Sequence, residues 1–170
     1  MARKIILVRH AKSDWDGDAP DDFSRPLNTR GREDAYRTGA WLVERDYVPA
    51  LILSSTSVRT RETVARLGAG AGVGFEPRTR FLDRLYHGSS ESIAAALADN
   101  ECGRLTMVVA HNPGLEDFLH CLSGRHEWMG KFSKAFPTCG VYVVETMGKR
   151  RLSGQLRGKL IAHMRPKLLR

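Results

Sequence analysis

The sequence predicts a single α/β domain with a mostly parallel central sheet, on three observations. Continuous apolar, β-branched runs (Ile5–Val8, Leu51–Leu53, Thr106–Ala110) have the character of strands buried on both faces. Segments of helical periodicity lie between them, which implies βαβ crossovers and helices on both sheet faces. The length, 170 residues, suits one domain with one core. Neither an internal repeat nor a domain-scale linker interrupts residues 1–170, which therefore read as one domain.

The elements follow in order. After Ile5–Val8 comes a long polar loop through Asp22. Asn28 or Thr29 then N-caps a helix whose apolar face reads Tyr36, Ala40, Val43 and Tyr47. Leu51–Leu53 is the second strand, and Thr56 or Ser57 starts a helix through about Leu67. The glycines from Gly68 to Gly72 end that helix and lead to a weaker strand near Val73–Glu76. Ser89 or Ser90 opens a helix with Ile93 and Leu97 on one face. Past the strand Thr106–Ala110, Asn112 offers an N-cap and Pro113 takes the first helical position. Leu115, Phe118, Leu119 and Leu122 form the helix stripe before Gly124, and Val141–Glu145 and Leu160–His163 read as late strands.

The composition is that of a globular protein, 42% hydrophobic and 27% charged, which excludes disordered and fibrous classes. The net charge of +8 points first to nucleic acid, but its distribution does not. Lys149, Arg150, Arg151, Arg157, Lys159, Arg165, Lys167 and Arg170 fall in the last 22 residues without any acid, leaving residues 1–148 neutral. Around Leu156–His163 the alternation fits an edge strand guarded by Arg157 and Lys159. Three cysteines without a Cys-x-x-Cys pair argue against a disulfide scaffold or thiolate zinc site. No apolar run is long enough for a signal peptide or membrane span, so a cytoplasmic setting is expected, with neither membrane nor nucleic acid as partner.

Ligands of open α/β sheets bind beyond the carboxyl ends of the strands. Arg9 and His10 follow the first strand, Ser54, Ser55 and Arg59 the second, and His111-Asn112-Pro113-Gly114 the strand ending at Ala110. Arg59 falls in a first helical turn, where the macrodipole disfavours a cation, and a rule broken there points to a compensating anion. His111 precedes a helix N-terminus, whose free N–H groups favour phosphate or carboxylate. Two arginines and two histidines converging on one edge make an anion-handling site.

Leu7-Val8-Arg9-His10-Ala11 resembles the Arg-His-Gly motif of the histidine phosphatase superfamily, with Ala11 for the usual glycine. Arg25-Pro26-Leu27-Asn28-Thr29-Arg30-Gly31 resembles the Arg-Pro-Leu segment of its small SixA-type phosphohistidine phosphatase branch. The stretch Ser55–Thr63 and the segment Val109–Pro113 resemble the superfamily's second arginine motif and second histidine motif; Thr56 replaces a common proline. Leu160–Leu168 also looks like that branch.

The resemblance implies a phosphoglycerate mutase-like α/β/α sandwich without a large cap insertion, and a phosphatase needing neither metal nor other cofactor. His10 would be the nucleophile, and Arg9, Arg59 and His111 would bind the phosphoryl oxygens and stabilise the transition state. Arg25 and Ser13 would be further phosphate contacts, and neighbouring arginines would keep His10 neutral. Larger members carry an acid in an inserted region; here Asp83 is the one candidate general acid, and equally an ordinary partner for Arg80 or Arg84. An open site with weak acid assistance suits phosphohistidine on a histidine-containing phosphotransfer protein. A phosphomonoesterase of small molecules or phosphoproteins using Asp83 is the alternative, and a non-catalytic phosphate-binding module a third reading.

Asp14-x-Asp16-x-Asp18 opens like a calcium loop, but Ala19 and Arg25 stand where that loop needs glycine and glutamate. Asp14, Asp16, Asp18, Asp21 and Asp22 are expected as a solvated rim, since inward carboxylates would repel phosphate. His87, His120, His126 and His163 lack motif context and read as structural or surface residues, and Trp15 and Trp128 as loop residues that either shape the rim or, as expected first, are partly buried.

Overall fold

A computed structural model describes residues 3–123, 136–146 and 158–169. Its strands are β1 (Arg3–Arg9), β2 (Leu51–Ser54), β3 (Thr79–Phe81), β4 (Leu105–Ala110), β5 (Val141–Thr146) and β6 (Gly158–Met164). Its helices are α1 (Thr29–Glu44), α2 (Val58–Gly70), α3 (Ser90–Asp99) and α4 (Gly114–Ser123). The strands form one sheet in the order β3-β2-β4-β1-β5-β6. The first four run parallel, β5 joins β1 antiparallel, and β6 pairs antiparallel with β5. β1 and β4, with four and five consecutive buried residues, occupy the centre, where both sheet faces are covered.

Two cores lie on opposite faces. Ile6, Val8, Ile52, Met107 and Val109 pack with Trp41 and Leu42 of α1 and Val64 and Leu67 of α2. Leu7, Leu53 and Val108 pack with Ile93 and Leu97 of α3 and Leu115, Phe118 and Leu122 of α4. Alternate strand residues thus serve opposite layers, giving the three-layer α/β/α sandwich that the sequence predicts.

Four local expectations change. The stripe expected on α1 is displaced: Tyr36 and Val43 are exposed, while Gly31, Ala35, Thr38, Gly39, Trp41 and Leu42 are buried. Size selects this face, because a Cβ at Gly39 would strike the Leu67 carbonyl of α2, and one at Gly31 the Lys12 carbonyl. The strand expected at Val73–Glu76 lies instead at Thr79–Phe81, after a 3-10 turn at Glu76–Arg78 containing Pro77, which has no N–H for a ladder. Helix α2 continues past Gly68 to Gly70, since both glycines admit neighbouring backbone, from Phe75 and Tyr36 respectively.

Finally, α4 begins at Gly114, after Pro113. Asn112 does not cap it: its amide donates to Glu116 and to the Phe136 carbonyl, and its Oδ1 has no partner. Asn28 and Ser89 do cap α1 and α3, accepting from Gly31 N and Ser92 N. Lys159 lies on the edge strand β6 and is exposed. Gly124, His126, Trp128, Leu156 and the basic residues 149–151, 157 and 170 lie outside the described residues.

Candidate active site

The carboxyl ends of β1, β2 and β4 deliver the site. His10 leaves β1 with its N–H bonded to the Ala110 carbonyl of β4 (3.1 Å), and Ser55 leaves β2 with its N–H on Val109 O (3.0 Å). These ladder bonds bring His10, Ser55 and His111 to one edge. The loop after His10 is clipped to the Arg25 segment by Asp14 N–Pro26 O and Asn28 N–Lys12 O bonds, with a bridge between Ser13 and Leu27. Glu62 of α2 accepts from Leu27 N (2.9 Å), tying that segment to the helix that carries Arg59. Thr63 completes the frame, accepting from Ala11 N (3.0 Å) and donating to Arg59 O (2.6 Å).

The two histidines stand with ring centroids 5.1 Å apart, and both are buried. His10 Nδ1 lies 2.8 Å from the Ala11 carbonyl. A carbonyl only accepts, so Nδ1 carries the proton and Nε2 keeps its lone pair. Burial pushes the His10 pKa down to about 3; the bond to Ala11 opposes this, and Arg59, Arg9 and Arg25 add to it. The ring is therefore a neutral imidazole with a free Nε2. His111 places Nε2 2.8 Å from Ser55 Oγ and Nδ1 3.4 Å from Arg59 Nη2. Burial, then His10 and Arg59, lower its pKa to about 2.

The arginines divide their donors. Arg59 is almost wholly buried and its Nη2 lies 2.9 Å from Asp22 Oδ2, while Nη1 donates to the Asp22 carbonyl. Arg25 pairs with Asp22 Oδ1 and stacks its guanidinium 3.4 Å over the Trp15 ring. Arg9 donates to Phe136 O (2.8 Å). The Nε atoms of all three, and Nη1 of Arg25, are buried without an acceptor. Three guanidinium groups with unused donors around a neutral imidazole are equipped to receive a polyoxygenated anion.

Of the residues singled out in the sequence, Arg9, His10, Arg25, Arg59 and His111 share this site. Ser13 is buried at its bridge to Leu27, between the His10 loop and the Arg25 segment. Asp83 shares none of these hydrogen bonds: it is exposed in a 3-10 turn at Asp83–Leu85, with its carbonyl taking Tyr86 N. Arg80 pairs with Asn100 and Arg84 with Asp99 rather than with Asp83.

Three expectations are corrected in part. Asp22 is exposed, as a rim residue should be, but its carboxylate turns inward and takes hydrogen bonds from Arg59, Tyr86 and His87 as well as Arg25. His87 is a surface residue, as expected, yet its ring stands 5.2 Å from that of His111. Trp15 is 71% exposed, covering Arg25 rather than burying itself. Tyr86, missed altogether, meets His111 edge-on at 5.6 Å. Its signal was available once the neighbouring strand is placed at Thr79–Phe81, whose carboxyl end faces this edge.

The profile of the histidine phosphatase superfamily (branch 1) matches residues 5–91, which include His10, Arg25 and Arg59. An uncharacterized protein of Mycobacterium leprae is 31% identical over 151 residues, spanning 84% of this chain and 89% of its own length. The chain belongs to the histidine phosphatase superfamily. Among solved structures, a protein of Agrobacterium tumefaciens designated a candidate phosphohistidine phosphatase SixA superposes with a TM-score of 0.81 at 30% identity, covering 96% of this chain and 98% of its own. The protein histidine phosphatase SixA complexed with tungstate superposes with a TM-score of 0.76 at 21% identity, covering 98% and 99%, a likeness of fold. This histidine phosphatase superfamily member is a phosphatase. No helix among the described residues is long and apolar enough to cross a membrane.

Proposed function

We propose that this phosphatase hydrolyses phosphohistidine on a protein, a histidine-containing phosphotransfer domain being the expected class of partner, through a phosphohistidine formed on His10. The observation that carries the reading is the tautomer of His10. Its Nδ1–H is committed to Ala11 O, so Nε2 is an uncharged nucleophile amid three arginines.

In the first step His10 Nε2 forms a bond to phosphorus as the substrate's P–N bond breaks, and the leaving imidazole takes a proton from water. Arg9, Arg25 and Arg59 hold the nonbridging oxygens and offset their charge, with each well-placed donor contributing about 3–4 kcal/mol to the transition state. Arg59 Nη2 donates to His111 Nδ1, so Nε2–H donates to Ser55 Oγ; because that hydroxyl can also donate, it supports the other tautomer, whose Nδ1–H faces a phosphoryl oxygen once Arg59 turns to the anion. Water then attacks phosphorus, inorganic phosphate leaves, and His10 returns to its neutral form.

The leaving group follows from the acids at hand. Asp22 is partly desolvated, yet hydrogen bonds from Tyr86, His87 and Arg59 outweigh that and hold its carboxyl well below the usual range, so it has no proton to give. Asp83 is exposed and takes no part in the site's hydrogen bonds. A departing alkoxide needs a proton donor more than a departing imidazole does, which favours phosphohistidine over phosphoester.

Turnover of a phosphohistidine peptide against a phosphoserine peptide, with acid-quenched trapping of the phosphoenzyme, tests the reading. A strong preference for phosphohistidine and an acid-labile phosphoryl group lost in His10→Ala are expected. Retained turnover in His10→Ala, or preference for the ester, overturns it.

A further inference from the structure

Asp22 sits twelve residues past His10 on the loop that leads to Arg25, and its carboxylate has the contacts of a bound ligand. Arg25 Nη2 holds Oδ1, and Arg59 Nη2 (2.9 Å), Tyr86 Oη (2.8 Å) and His87 Nε2 (3.0 Å) surround Oδ2. These four donors come from three separate stretches of chain. The same Arg59 Nη2 also lies 3.4 Å from His111 Nδ1, so the carboxylate and His111 share one donor. Resting on the phosphoryl-transfer reading above, we infer that the Asp22 carboxylate is a tethered occupant of the anion site, which a phosphoryl group must displace, and that it thereby determines which anions the site accepts.

Stoichiometry supports displacement. A carboxylate brings one charge and two oxygens, and with Asp22 in place Nε and Nη1 of Arg25 and Nε of Arg59 remain buried without acceptors. A phosphoryl group brings three terminal oxygens and close to two charges, enough to engage those donors. A phosphodiester or free carboxylate, with one charge and two oxygens, gains nothing over the tethered group. Asp22 would therefore reject monoanions while conceding to a terminal phosphoryl group.

The architecture also permits the carboxylate to leave. Its side chain is 40% exposed, and the backbone is held independently of it. Arg59 Nη1 donates to the Asp22 carbonyl, and Phe23 O accepts from Val58 N (3.1 Å). Rotation about the Asp22 side-chain bonds frees the arginines without moving the loop. The opposite role, a counter-ion that holds the arginines in position, predicts effects of opposite sign.

Calorimetric titration with inorganic phosphate of the native protein, Asp22→Ala and Asp22→Asn separates the two. If Asp22 occupies the site about nine-tenths of the time, its removal tightens phosphate binding about tenfold. Acetate should then compete with phosphate in Asp22→Ala and not in the native protein. Unchanged or weaker phosphate binding in both variants, or acetate that improves phosphate binding in Asp22→Ala, overturns the inference. Should these variants not fold, His87→Ala removes one donor from Oδ2 and is expected to tighten phosphate about two- to threefold; no gain overturns the inference. Native binding that the variants fail to improve rejects the Asp22 role alone. Absence of phosphate binding in every protein, together with no phosphoenzyme on His10, rejects the phosphoryl-transfer reading with it.

Discussion

His10 owes its chemistry to one short hydrogen bond and to burial. The Ala11 carbonyl is supplied by the next residue, so which ring nitrogen keeps its lone pair is a local matter. The charge state is not local, since burial and the arginines from three segments keep the ring neutral. Carbon and nitrogen NMR shifts of the labelled ring should therefore show His10 neutral from pH 8 down to about 4.5, with no titration near the unperturbed 6.5. In the proposed mechanism Ser55 acts through His111 as a positioning residue, on the strength of their 2.8 Å hydrogen bond. Ser55→Ala should lower kcat for phosphohistidine hydrolysis about tenfold, with little change in KM, and Ser55→Thr should restore part of it. Asp22 and His87 escaped sequence reasoning because their partners lie 37 and 24 residues away, and nothing in a run of aspartates marks the one that turns inward.

Helices α1 and α2 cross where Gly39 meets the backbone of Leu67 and Gly70 meets that of Tyr36. The contact is close because neither glycine carries a Cβ, and the same two helices flank the Leu27–Glu62 bond that ties the Arg25 segment to α2. Gly70→Ala would force two helix backbones apart, and a loss of about 1–3 kcal/mol or more is expected in urea unfolding, accompanied by weaker phosphate binding. Strand and helix order was legible because β1, β2 and β4 are buried on both faces and show it as unbroken apolar runs. The face of α1 was not legible: apolar spacing selects Tyr36 and Val43, whereas close helix approach selects small residues.

Across the whole molecule, the two buried histidines couple stability to pH. In the fold His10 and His111 stay neutral well below pH 6.5, while in the unfolded chain they bind protons near that value. The stability due to the neutral rings is complete above pH 6.5 and is lost as pH falls toward about 3 for His10. Each ring contributes a slope of about 1.4 kcal/mol per pH unit. Unfolding free energies at pH 7, 6 and 5 should show this decline, and His10→Ala should show a shallower one. The opposite slope, or none, would mean that the rings are protonated in the fold.

The net charge of the chain sits elsewhere, in the last 22 residues, while the site's cations belong to a neutral body. Sequence by itself determined the alternating α/β order and the arrival of Arg9, His10, Arg59 and His111 at one sheet edge. Both follow from burial patterns within short segments and from the rule that parallel strands present their carboxyl ends together. Only the tertiary structure decided which carboxylate meets Arg25 and Arg59, which helix face is buried, and that Tyr86 and His87 close around His111. Those outcomes depend on contacts between segments distant in the chain, where size and charge balance outweigh local apolarity.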